Sequence, residues 1–120
     1  MLDIVIDHDS AVPPFEQLRR QIVELVHRGD LISGTKLPTV RGFAETLGIA
    51  PNTVAKTYRE LEQAGVLETR GRGGTFVAAN GDPTRVGAQR ATSEYVATVR
   101  GLGITDEEVL ALVRAALRAG

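Results

Sequence analysis

The chain predicts a mainly α-helical fold with one small β-hairpin, and three observations carry that prediction. Between Phe15 and Ala64, three consecutive segments repeat apolar residues at helical spacing. After Gly65 the period shortens into two strand-like runs on either side of "GRGG". The last third returns to helical spacing, in two segments that each carry one apolar side. At 120 residues and 42% apolar composition, the chain can build one domain of about 100 residues with a small appendage.

Taken in order, "LDIVID" alternates apolar and polar residues and reads as a short strand. "VPP" leads into a first helix over roughly 15–28, with Phe15, Leu18, Ile22, Leu25 and Val26 on its apolar side. Gly29 sits where a left-handed C-terminal cap belongs. "DLISGTKLP" reads as a loop with a Ser-Gly turn and a proline stop. Thr39 caps a second helix whose inner face is Val40, Phe43, Ala44 and Leu47, and Gly48 ends it. Pro51 opens a third helix at a first-turn position, where its missing N–H costs nothing. Val54, Tyr58 and Leu61 face inward, and Gly65 closes it. "VLETR" and "TFVAA" are the hairpin strands, and the glycines between them supply the positive φ angles of a tight tip. "NGDPT", residues 80–84, reads as a linker between a domain over 1–79 and a helical segment over 85–120.

Helix, helix, short turn, helix, hairpin is the order of a winged helix-turn-helix. In such a unit the helix after the turn lies in the DNA major groove, and its N-terminal residues reach base edges. That geometry explains why the third helix begins with small polar groups. Asn52 can donate and accept toward adenine, Thr53 can bond a base or touch a thymine methyl, and Lys56 can meet a phosphate or guanine. Taken singly, each residue also fits an ordinary solvated helix start. Arg41 lies in the first turn of the preceding helix, and Thr39 at its N-cap offers a hydroxyl and helix N–H groups to a phosphate.

"RGRGGTFV" fails as a phosphate-cradling loop: it is neither GxxxxGK[ST] nor GxGxxG, and a strand follows it. As a wing, it aims Arg70 and Arg72 at backbone or minor groove. The competing reading is a basic turn without a partner. A net charge of −1 argues against a polyanion partner, but six basic residues meet only four acidic ones between Gly34 and Phe76. Whether those cations share a face is a question for the fold.

"KLPTVRGFAETLGIAPNTVAKTYRELEQAGVLETRGRGGTFV" resembles the DNA-binding domain of the GntR family of bacterial transcription regulators, and "VPPFEQLRRQI" resembles that family's first helix. The likeness runs from about residue 10 to 78. It implies a winged helix that dimerises on palindromic operators, with Arg41 matching an arginine that commonly contacts DNA. It also puts Gly73 in the wing that enters the minor groove. Many members carry an arginine where this chain has Pro51 and a basic residue near Ala55, so no base contact carries over there. "PNTV" resembles the short YtrA-type subfamily.

The tail is too short for an independent core. Tyr95, Val99 and Leu102 share one side of its first helix. A capping box of Thr105 and Glu108 opens the second helix, where Val109, Leu112, Val113 and Leu117 line up. Two amphipathic helices with nothing to cover need a partner, and a second copy gives a two-fold dimer. Folding back onto their own winged unit is the other solution.

Catalysis finds no motif. With no cysteines, disulfides and thiolate metal sites are excluded. "DHD" at Asp7–Asp9 alternates faces if extended, and His27 is a helix-end residue, so no metal site or cofactor is expected. The acidic N-terminus is not a signal peptide, and no apolar run approaches membrane-spanning length, so a cytoplasmic protein without a membrane partner is expected. The expected function is a sequence-specific DNA-binding regulator, a repressor acting on double-stranded DNA as a homodimer, with any small-molecule effector left open. The rival is a winged-helix assembly module that binds protein and not DNA.

Overall fold

Three helices bury the apolar sides that their spacing marks out. In the computed structural model, which describes residues 2–79 and 83–120, these are α1 (Pro14–His27), α2 (Val40–Leu47) and α3 (Pro51–Gln63). The hairpin β1 (Leu67–Thr69) and β2 (Thr75–Val77) follows, then α4 (Pro83–Gly101) and α5 (Asp106–Ala119). This is a winged helix-turn-helix followed by two helices. Leu18, Ile22 and Leu25 of α1 meet Phe43, Ala44 and Leu47 of α2 and Val54, Tyr58 and Leu61 of α3 in one core. Leu67 and Val77, opposite each other in the hairpin register, close it from the side.

The helix ends follow local chemistry. The Thr39 hydroxyl oxygen accepts the Gly42 N–H at 3.1 Å, capping α2. Gly48, at φ +68°, ends α2 in the left-handed conformation and turns the chain within three residues to Pro51. A side chain at Gly48 would be strained, which is why the helix-turn-helix corner takes glycine.

Two segments differ from the sequence reading. "LDIVID" is extended and buries Ile4 and Ile6 as the alternation requires, yet it pairs with no strand among the described residues. Its backbone is met by two glutamine amides of α1 instead. Gln21 accepts the Val5 N–H at 3.2 Å and donates to the Val5 carbonyl at 2.8 Å. Gln17 does the same for Asp7, at 2.8 and 2.9 Å. A primary amide carries both N–H donors and a carbonyl acceptor, so it can satisfy a strand-like residue without a ladder. The extension stops at Asp7, whose carboxylate accepts the Asp9 N–H at 3.0 Å, so "DHD" forms a turn and does not alternate.

"DLISGTKLP" is more than a loop. Gly34 donates to the Val77 carbonyl, Val77 to the Thr35 carbonyl, and Leu37 to the Thr75 carbonyl, all within 2.8–2.9 Å. Residues 34–37 thus act as a short third rung along β2, satisfying an edge that would otherwise stay open. Of the expected linker, residues 80–82 lie outside the described residues, and Pro83 and Thr84 begin α4.

The Tyr58 hydroxyl donates to the Pro38 carbonyl at 2.8 Å from a ring only 4% exposed. Burial raises its phenol pKa above the ordinary value. A raised acid pKa stabilises the fold below the unfolded-state value of about 10 and loses that contribution as pH climbs past it. Tyr58→Phe is expected to lose about 1 kcal/mol at neutral pH. It should also show a shallower decline in stability above pH ~10, both readable by denaturant titration.

Candidate nucleic-acid interface

One side of α2 and the start of α3 meet at the helix-turn-helix corner. Arg41, Ala44, Glu45 and Gly48 of the α2 side meet Ile49 and Pro51 around one open cleft of about 690 Å³. Beyond it, Asn52 is exposed and Thr53 half-buried, while Val54, Thr57 and Tyr58 turn into the core. The Thr57 hydroxyl is spent on the Thr53 carbonyl at 2.8 Å. Ala50 gives α3 no side-chain cap, so the positive end of the helix dipole is open at this corner. Thr39 uses its oxygen as a cap acceptor, which leaves its O–H proton available as a donor.

Lys56 is exposed, and its ammonium lies 4.3 Å from the Phe15 ring centroid at the start of α1. A cation over a ring face is held by the ring quadrupole without being neutralised. Phe15 therefore steadies Lys56 while keeping its charge. The sequence alone gave no signal for this pair, because the two residues belong to different helices.

The wing is built on two left-handed glycines, Gly71 at φ +51° and Gly74 at φ +104°. Its tip closes through Gly73 N–H to the Arg70 carbonyl and Arg70 N–H to the Gly74 carbonyl, at 2.8 and 2.9 Å. Gly73 sits in the turn against the edge of the Phe76 ring. Lys36 runs along Gly74, where an added Cβ would come within 3.1 Å of its Cε, so the wing lies beside the strand-like segment that leads into Thr39. Thr39 and Arg41 follow that segment into α2, and the cleft joins Arg41 to Pro51, next in sequence to Asn52.

The two wing arginines are not equivalent. Arg70 folds back, donating to Glu68 at 2.8 Å and lying 4.4 Å from the Phe76 ring centroid. Arg72 is exposed in the tip, and among the described residues Arg41, Lys56 and Arg72 form no ion pair. The pairing of Arg70 with Glu68 depends on strand geometry at i, i+2, which bends both side chains to the same face.

Residues 14–77 match the family described as bacterial regulatory proteins, gntR family. The chain belongs to the GntR family. Its members are DNA-binding transcription regulators. The HTH-type transcriptional regulator Rv1152 of Mycobacterium tuberculosis is 48% identical over 105 residues, covering 88% of this chain and 86% of its own. The HTH-type transcriptional repressor YtrA of Bacillus subtilis is 45% identical over 84 residues, covering 69% of this chain and 64% of its own. The crystal structure of AraR(DBD) in complex with operator ORX1 superposes with a TM-score of 0.57 at 26% identity, covering 62% of this chain and 94% of that one. These GntR relatives are regulators and not enzymes, and the likeness to YtrA agrees with the "PNTV" signature. No described helix is long and apolar enough to cross a membrane.

Glu68 offsets positive charge at the wing base. Glu68→Gln is expected to tighten non-specific duplex binding and steepen its salt dependence by up to about one unit of slope, measured by fluorescence anisotropy across a salt series.

Proposed function

We propose that the protein is a transcriptional repressor that binds a palindromic operator as a homodimer. Thr39, Arg41, Asn52, Thr53 and Lys56 meet the major groove and its flanking phosphates, and Arg72 and Gly73 meet the minor groove or backbone beside it. Arg70 shapes the wing more than it adds charge, since Glu68 already balances it. The observation that carries this reading is the cleft at the corner. It joins Arg41 to the start of α3, whose outer first turn is open while its inner side fills the core.

The dimer rests on the tail. Leu102 is 72% exposed, Leu117 74% and Leu112 49%, with Tyr95 and Val113 close to 40%. Val99, near the end of α4, and Val109, in the first turn of α5, are already buried within the single chain. An apolar face of this size in water favours a self-complementary partner surface. A two-fold pair would set its recognition helices about 34 Å apart, one turn of DNA. Repression is supported by the likeness to YtrA.

In a mobility-shift titration, Arg41→Ala and Lys56→Ala should each weaken operator binding by about 1–3 kcal/mol with an unchanged melting curve. Arg72→Ala should lower the salt slope by about one unit. Unchanged affinity in both helix variants would remove this face from DNA binding. The double variant Leu112→Glu and Leu117→Glu should sediment as a folded monomer, since both positions are exposed in the single chain. A dimer of undiminished strength would move the interface elsewhere.

A further inference from the structure

Ser33 is 4% exposed, and all three of its polar groups are committed to other elements. Its N–H donates to Gln89 Oε1 of α4 at 3.1 Å, and its carbonyl accepts from the Ser93 hydroxyl of α4 at 3.2 Å. Its own hydroxyl donates to the Ala78 carbonyl at the exit of β2, also at 3.2 Å. Gln89 and Ser93 are four apart and so share one face of α4. Gly34, next to Ser33, holds φ +87°, a conformation that favours glycine, and packs beside Ser93 at ordinary contact distance.

This junction fixes α4 with little help from packing. Among the described residues the core of the winged unit runs from Ile4 to Val77 and includes no residue of α4 or α5. Apolar contact is tolerant of sliding, whereas hydrogen bonds are directional and weaken steeply when misaligned. From Ser33 the connection continues along residues 34–37 into β2, and through Pro38 to the Tyr58 hydroxyl on α3. The α4 direction is thereby referred to the helix that carries Asn52 and Thr53.

We propose that Ser33, Gln89 and Ser93 form a positioning latch that sets which operator half-site spacing the dimer accepts. The inference rests on the homodimer reading above. In a two-fold pair built on α4 and α5, the angle between α4 and the winged unit determines the separation and relative rotation of the two α3 helices. One added base pair moves a half-site about 3.4 Å along the duplex and about 34° around it. A latched dimer rejects that change; an unlatched one follows it.

The test uses the full chain and a palindromic duplex selected from random DNA by the purified protein. Spacers are then altered by one or two base pairs, and a single half-site serves as control. The wild type should lose at least tenfold in affinity for altered spacers. Gln89→Ala combined with Ser93→Ala should bring all spacers within about threefold of one another, with half-site affinity and dimer mass unchanged. Gln89→Glu keeps an acceptor for the Ser33 N–H and, with Ser93 intact, should restore the discrimination. Full spacing preference in the double alanine variant would overturn the latch while leaving the dimer standing. A wild type that is monomeric, or that binds one half-site as well as two, would remove the dimer reading and the latch with it.

Discussion

The hydrogen bond from the buried Tyr58 hydroxyl to the Pro38 carbonyl joins the parts on which binding depends. One end lies on the inner side of α3, and the other just before the cap of α2. The start of α2 is thereby fixed against the middle of α3, while Gly48 turns the end of α2 into the start of α3. An apolar contact alone would allow α3 to rotate about its axis. The phenol pins the rotation, because a buried hydroxyl without a partner is costly. With Tyr58 directed inward, 100° per residue turns Asn52 and Thr53 more than a right angle away from it, and Asn52 is exposed while Thr53 is half-buried.

The same joint carries the wing. Pro38 follows the segment that runs beside β2, so the hairpin is tied to α3 through backbone hydrogen bonds and not only through Leu67 and Val77. Lys36 against Gly74 fills the inner flank of the wing, while Phe76 takes Arg70 on its ring. A hairpin of three-residue strands is marginal alone. Here it gains a third rung and a place in the core, which lets an exposed, glycine-rich tip hold its shape.

The charge distribution follows from these contacts more than from composition. A net charge of −1 gives no hint of a polyanion partner. Local pairing decides which cations remain available: Arg19 and Arg20 are drawn to Glu16, Arg28 to Asp30, Arg70 to Glu68, and Arg100 to Asp106. In the last pair, hydrogen bonding to the guanidinium holds the Asp106 carboxyl below its ordinary pKa and braces the turn into α5. Arg41, Lys56 and Arg72 are among the cations that escape such pairing among the described residues; Arg41 lines the cleft at the corner, Lys56 lies over Phe15 and Arg72 is in the wing tip.

The sequence by itself determined the helices, their caps, the glycine turns and the wing. Each depends on interactions within a few residues: helical spacing at Val40, Phe43, Ala44 and Leu47, a threonine cap, and positive φ at Gly48, Gly71 and Gly74. It also marked Arg41, Asn52 and Thr53 as candidates, since helix periodicity sorts inner from outer faces. Tertiary structure decided what depends on distant partners. Two glutamines replaced a strand for "LDIVID", the 34–37 segment joined β2, Phe15 took Lys56, and Ser33 gathered α4. No local pattern encodes these, because each joins groups brought together only when the core forms and buried polar atoms must find whatever partner is near.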